Sequence, residues 1–317
     1  TKVTPDGALW MLMQDRGLIE GPMGACQAGF PVWNPKEKAL YVTGLNCLRK
    51  VVEKPDGSSW VEVVAGVPGK AGTQDGPAKE AAFPNVNRGV VCDSKGTFYW
   101  LQDHVLRRIE NGMVSSIPLK RSDGSKFIFN IILDYTGLCL GENDDTLYIS
   151  DVWNNNAGWG IFRCNVKTGE MTRICGVDNR NDKYKRFDHE SDGPALTHVS
   201  GRAGMNAIYH PFYNALWVWG PDNLRFRWLR LDGDGWVRTA FAEPRPGTKS
   251  EFRFPRDANA MGIPGEQLRF GPSVCIRCTG IDSKGGVYIK VNTADASGVW
   301  RAYNKNWPAS GRKEVRP

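Results

Sequence analysis

The chain has 317 residues, 41% of them hydrophobic and 24% charged, with a formal net charge of +7. That is enough apolar material for a full packed core, which excludes a disordered chain. No apolar run approaches the roughly eighteen residues of a membrane-spanning helix, and no basic, apolar, small-residue leader is present. The chain starts at Thr1 without a methionine. That start fits a mature exported protein and a trimmed sequence equally, and a secreted or periplasmic location is the expectation. The basic balance raises the question of an acidic partner. Leu119-Lys120-Arg121 is a short run, and Arg225 to Arg230 alternates cation with apolar residue, as a half-buried strand does. A solvated, charged sheet face accounts for such segments, and a steering field for an anionic ligand is the alternative. No helical basic stripe or RNP-like segment accompanies the charge, which argues against nucleic acid.

In chain order, six segments place a small or polar residue before alternating apolar and aromatic residues: 7–13, 38–44, 96–102, 145–151, 214–220 and 286–291. Each reads as a strand, and turn residues such as Pro35-Lys36-Glu37 and Asp93-Ser94-Lys95 precede it. Each is therefore the expected second arm of a hairpin. Third and fourth strands follow in three units: Leu106–Ile109 and Val114–Ile117, Ile161–Cys164 and Met171–Ile174, Trp228–Leu231 and Trp236–Thr239. Four strands per unit, about six units and no helical periodicity predict an all-β, six-bladed β-propeller with four-stranded antiparallel blades, one domain over 1–317. Between units the chain must travel from the outer rim to the axis. Residues 65–87, rich in glycine and proline, are expected to make that journey without adding to a sheet. Asp75-Gly76-Pro77-Ala78 recurs as Asp192-Gly193-Pro194-Ala195. The two copies predict one device used two blades apart, with an insertion around 178–202 before the second inner strand.

The stretch from Val64-Ala65-Gly66 through Asp75-Gly76-Pro77-Ala78, Ala82-Phe83-Pro84, Asp93, Gly96, Tyr99, Asp103 and Arg107-Arg108-Ile109 resembles the NHL repeat. The resemblance is specific over residues 64–117, looser over 174–240, and elsewhere one of rhythm. It implies a six-bladed propeller and is compatible with closure by N- and C-terminal strands sharing one blade. It leaves function open, because NHL propellers serve as protein-docking surfaces, RNA-binding platforms and lyase scaffolds. A second segment, Gly29-Phe30-Pro31-Val32-Trp33-Asn34-Pro35 followed by Leu40-Tyr41-Val42, is similar to the opening blade of gluconolactonase-like propellers. In those a Glu-Gly-Pro-x-Trp-Asp segment puts a metal-binding glutamate on the axis. Here Gly29 stands in its place, which weakens the lactonase expectation. Asp151, Asn154 and Glu142 remain as oxygen donors for a divalent metal elsewhere on the axis, with turn capping as the alternative.

Gly66 to Lys70 lacks the spacing of a phosphate loop, and no helix follows. Cys275-Ile-Arg-Cys278 has no second cysteine pair for zinc, no histidine for haem and no βαβ context. Cys164 and Cys175 flank the turn at Lys167-Thr168-Gly169, where either a cross-strand disulfide or a pairing of Cys164 with Thr172 is expected. Four histidines supply the candidate bases: His104 in an exposed turn, His189 and His198 in the insertion, and His210 beside Tyr209 at the end of an inner strand. Arg88, Arg202 and Asn206, just before or within inner strands, are candidate ligand contacts, with salt bridges between blades as the alternative for the arginines. Trp10, Trp100, Trp217 and Trp219 are expected to pack in sheets. Trp153 and Trp159 bracket Asn154-Asn155-Asn156 in a predicted loop, where two rings and several amides suit a sugar. A self-packed loop is the other reading.

Two functions follow. One is a secreted propeller that binds, and in a stronger form cleaves, an acidic polysaccharide or another small anionic ligand. Arg88 and Arg202 would meet the acid group, and His189, His198, His210 or Tyr209 would act as base or acid. No facing carboxylate pair stands out, so elimination is favoured over glycosidase hydrolysis. The alternative is a non-catalytic NHL-type propeller that docks a protein partner.

Overall fold

In the computed structural model the described residues are 2–3, 9–10, 13, 17–27, 29–84, 89–102, 104–122, 124, 137–154, 158–177, 193–197, 206–219, 226–233, 235–241, 275–281, 286–292 and 297–302. They form antiparallel sheets with two one-turn 3-10 helices, at Met23–Ala25 and Ala195–Thr197. The chain divides into two compact units, Thr1–Phe127 with Val166–Gly169, and Ile128–Asn165 with Glu170–Arg316.

In the first unit β1 (Lys2–Val3) and β2 (Leu9–Trp10) form a hairpin. The first sheet joins β3 (Gly21–Pro22), β4 (Phe30–Asn34), β5 (Ala39–Gly44), β6 (Cys47–Glu53) and β7 (Ser59–Ala65) in the order β3-β7-β6-β5-β4. The second repeats it with β8 (Gly76–Pro77), β9 (Val91–Cys92), β10 (Phe98–Gln102), β11 (Val105–Glu110) and β12 (Met113–Pro118), in the order β8-β12-β11-β10-β9. A short β13 (Lys120–Arg121) follows. In the second unit the third sheet is the meander β14 (Gly137–Leu140), β15 (Thr146–Asn154), β16 (Gly158–Asn165) and β17 (Glu170–Val177). The fourth contains β18 (Gly193–Pro194), β19 (Asn206–His210), β20 (Ala215–Trp219), β21 (Phe226–Arg230) and β22 (Trp236–Phe241), in the order β18-β22-β21-β20-β19. The fifth is β23 (Cys275–Ile281), β24 (Val287–Asn292) and β25 (Ser297–Ala302). All six expected second arms are strands, each paired with the strand before it. The first strands of successive sheets lie side by side, β4 with β9 in the first unit, and β14 with β19 and β19 with β23 in the second.

Each core lies between two sheets. Tyr41, Leu48 and Ala65 of the first sheet meet Cys92, Phe98, Trp100 and Val114 of the second, with Ala78, Ala81 and Phe83 of the link between them. The fold of the second unit repeats the arrangement: Tyr148, Ile161 and Cys175 pack on Leu216, Val218 and Leu229, with Ala195 between. The alanine of each Asp-Gly-Pro-Ala copy is thus a core residue, small enough to leave room for the facing sheets.

The link does not merely turn. Gly76 and Pro77 pair with Val114 and Met113 as a fifth, outermost strand, and Gly193 and Pro194 pair likewise with Val237 and Trp236. Proline suits this place because an edge strand needs no second ladder donor. The rest of the link accounts for its own backbone: Gly66 N–H donates to Ala78 O at 2.7 Å, Ala78 N–H to Gly112 O at 2.8 Å and Gly72 N–H to Phe83 O at 3.2 Å. Gly66 has φ +83°, and a Cβ there would lie 2.4 Å from the Asn46 carbonyl oxygen, so only glycine fits. A third copy, Glu20-Gly21-Pro22, escapes the sequence pattern, since methionine follows its proline. It pairs with Val61 and Trp60 in the same way, and Gly21 and Gly76 share nearly the same φ, +132° and +134°.

One ionic latch holds the second link. Arg107, fully buried on the third strand β11, reaches Asp75 Oδ1 at 2.9 Å, the Gln74 carbonyl at 3.0 Å and Gln102 Oε1 at 2.9 Å. Asp75 in turn accepts from the Ser116 N–H at 2.9 Å and the Ser116 hydroxyl at 3.0 Å on β12. Removing the carboxylate strands a buried guanidinium. Asp75→Ala is therefore expected to cost about 2 kcal/mol or more in urea unfolding, and a change below about 0.5 kcal/mol would show that the latch is not structural.

Candidate functional site

The candidate residues divide by what the structure describes. Arg88, His189, His198 and Arg202 lie outside the described residues, as does the inserted loop around 178–192. Trp153 and Asn154 fall within β15 and Trp159 within β16, with Asn154 paired to Gly158 and Trp159 to Val177. Trp153, Asn154 and Trp159 therefore belong to strands rather than to the expected loop, because the pairing continues to Asn154 and Gly158 after a register shift between Asp151 and Asn154. Asn206 opens β19 opposite Trp219.

His210 and Tyr209 are built into the fourth sheet. His210 has no exposed surface, and its ring centroid lies 4.7 Å from Tyr213, 5.9 Å from Trp217 and 6.0 Å from Phe212. Tyr209 donates its hydroxyl to Asn214 Oδ1 at 3.0 Å within its own hairpin and stacks on Tyr148 with centroids 6.3 Å apart. Burial, aided by Glu142 and Asp232, pushes the Tyr209 phenol up. A phenol so shifted stays protonated and suits donation.

Tyr209 belongs to a recurrent arrangement that ties hairpin turns to the core. The buried Tyr41, Tyr99 and Tyr148 on second strands donate to Glu37 at 2.7 Å, Asp93 at 3.3 Å and Glu142 at 2.8 Å. Desolvation first, then the carboxylate, pushes all three phenols well up. The Glu37 carboxyl moves the other way, held down first by Lys50, whose Nζ is 2.5 Å from Oε2, and then by Tyr41. Glu142 also pairs with Arg163, so its carboxylate is held by two side chains of the second and third strands. Among the described residues no group of three or more His, Cys, Asp or Glu is placed to hold a metal ion. At Gly29, where the gluconolactonase-like pattern has its glutamate, a Cβ would lie 2.0 Å from the Thr43 carbonyl oxygen. No side chain fits that position. The backbone amides around Lys70 are likewise spent, with Gly69 N–H donating to Leu45 O and Lys70 N–H to Val67 O.

The six cysteines with described side chains are thiols. Cys164 stands opposite Met171, and Cys175 opposite Ile161, so neither expected partner of Cys164 is across from it. Cys26, Cys47, Cys164 and Cys175 are all buried and outside any disulfide. His104 is half-buried in its turn rather than exposed.

What sequence reasoning missed is the exposed aromatic surface of β4. Trp33 is 55% and Phe30 41% exposed, on the strand at one end of the first sheet and, three residues apart, on its opposite faces. The alternation of β4 sends Val32 into the core and Trp33 to the opposite face. The outer edge presents a different set: Trp60, Met113 and Trp236, each partly exposed, stand opposite Pro22, Pro77 and Pro194 of the three links.

No family model matches the chain. Mouse (Mus musculus) teneurin-1 is 30% identical over 142 residues, which cover 37% of this chain and 5% of teneurin-1. Among solved structures, a Bacteroides thetaiotaomicron protein of unknown function superposes with a TM-score of 0.45 at 16% identity, covering 89% of this chain and 60% of its own. An oligogalacturonate lyase from Vibrio parahaemolyticus gives 0.40 at 10% identity, covering 86% and 61%, and a gluconolactonase from Xanthomonas campestris gives 0.32 at 14%, covering 83% and 81%. The chain thus spans a small fraction of teneurin-1 and about three fifths of the first two structures. At these identities and TM-scores the likenesses fix neither family nor activity.

Burial pushes the thiols up to about 11 for Cys47 and about 12 for Cys164 and Cys175. The nucleophilic thiolate is therefore scarce at neutral pH. Ellman's reagent at pH 8 is expected to leave these three untouched in the native protein and to react fully once it is unfolded in guanidinium; their fast labelling under native conditions would contradict the packing described.

Proposed function

We propose that the chain is an exported six-bladed β-propeller that binds a carbohydrate along its innermost strands, an acidic one in keeping with the net charge of +7. The observation that carries the reading is the 55% exposure of Trp33 on β4. A large indole left open to water on the first strand of a sheet suits the apolar face of a sugar, and the meander sheets with side-by-side first strands are the arrangement from which a propeller is built. Arg88 and Arg202 would neutralise the acid group. Cleavage, by elimination or hydrolysis, would draw its base from His189 or His198, since His210 is enclosed and Tyr209 is occupied in its hairpin.

A thermal-shift screen against neutral and anionic oligosaccharides tests the reading. A ligand held a hundredfold above its dissociation constant adds about 2.7 kcal/mol to stability. One glycan class is expected to raise the melting temperature of the wild type and not that of Trp33→Ala. If no glycan does so, or if Trp33→Ala responds unchanged, the binding site is not on β4 and the protein-docking alternative takes its place.

A further inference from the structure

Arg49 and Arg107 occupy the same place in successive sheets, and among the described residues only Arg107 meets a carboxylate. Both are fully buried on the third strand, and both bond the carbonyl of the residue two before the link glycine: Arg49 reaches Ile19 O at 3.5 Å, as Arg107 reaches Gln74 O. Arg49 adds one further acceptor, the Gln27 carbonyl at 2.8 Å, also through Nη1. Arg107 meets a carboxylate and a side-chain amide. Arg49 meets neither. Glu20, which stands where Asp75 does, gives its Oε1 to the Val63 N–H at 2.5 Å, and among the described residues it makes no ion pair with Arg49. The place of Gln102, opposite the first residue of β11, is held in the first sheet by Gly44, opposite Cys47. Glycine offers no acceptor side chain there, and a Cβ built on Gly44 would come no closer than 3.9 Å to Arg49 Nη2.

The nitrogens left without a hydrogen-bond partner are Nε and Nη2. They flank a single edge of the planar guanidinium, the edge that grips a carboxylate with two parallel bonds. The neighbouring thiols do not supply the charge. Cys26 Sγ lies 3.5 Å from Gly21 O and Cys47 Sγ 3.2 Å from Gly44 O, so each donates to a carbonyl. Burial holds both in the protonated form at neutral pH. A buried cation with carbonyl contacts alone is costly, and desolvation already works against its charged state.

We infer that the Nε/Nη2 edge of Arg49, between Gly29, Gly44 and the Cys26 and Cys47 thiols, is a binding site for a small monovalent anion of carboxylate or halide size. The site is independent of the glycan reading, because Arg49 and Cys26 have no exposed surface and Cys47 almost none, out of a saccharide's reach. A bound anion would do for the first sheet what Asp75 does for the second.

Melting curves in sodium formate, with ionic strength held constant by sodium gluconate, test the inference together with anomalous diffraction from crystals grown in sodium bromide. Formate is expected to raise the wild-type melting temperature by about 2 °C or more and to saturate, with no rise in Arg49→Met. Bromide is expected to give an anomalous peak within hydrogen-bonding distance of Nε and Nη2, a result that stands even if the variant does not fold. A melting temperature that fails to distinguish formate from gluconate, with no bromide peak at Arg49, overturns the inference.

Discussion

The contact between Arg107 and Asp75 decides how one sheet is joined to the next. The guanidinium is buried on the third strand, and the carboxylate belongs to a chain segment arriving from the preceding sheet. Because a stranded buried charge is so unfavourable, the link cannot leave the edge of the second sheet without a large loss. With Asp75 fixed, Gly76 and Pro77 add a fifth strand, Ala78 enters the core, and Phe83 packs edge-on against Trp100 with centroids 5.0 Å apart. The glycine- and proline-rich link is thus a part of the second sheet and of the core between the two sheets. Its carbonyls face the third-strand arginine, and its apolar side chains face the gap between sheets.

The alternation of apolar and aromatic residues made the second strands legible, since β5, β10, β15 and β20 are buried on both faces and begin just after a turn. Tyr41, Tyr99 and Tyr148 sit at the same point of that rhythm, and their hydroxyls reach back to the acids in the turns. The links were legible where the full Asp-Gly-Pro-Ala string survives. At Glu20-Gly21-Pro22 the requirement is only an acid, a left-handed glycine and an edge proline, and three residues of such loose specification do not announce a repeat. Charge misled in a specific way. The cations of Arg225 to Arg230 suggest a solvated face, yet Arg227 is buried beside Leu229 while Arg230 is exposed. Nothing in the identity of an arginine tells whether link carbonyls await it.

The third sheet shows the constraint met differently. Phe162 takes the place of the buried arginine, and Arg173 from the neighbouring strand lies over its ring, 5.3 Å from the centroid. Arginine near the third strand is therefore a recurring need of these sheets, met within the strand or from beside it. The candidate site was less legible than the fold for a related reason. Histidines and tyrosines attract chemical readings, but His210 and Tyr209 are consumed by packing and hairpin bonding, whereas Trp33 and Phe30 sit in a strand that reads as core. Exposure on β4 depends on which face of the strand meets the second sheet, and one strand taken alone carries no sign of that.

The account stands on the link being as firmly part of the second sheet as its own strands. Native-state hydrogen exchange measures this directly at Ala78, whose N–H donates to Gly112 O, and at Ser116, whose N–H donates to Asp75. Both amides are predicted to exchange as slowly as the amides of β11, through the same cooperative opening. Exchange at the rate of an exposed loop, with β11 still protected, would show that the latch does not hold the link and would contradict the account.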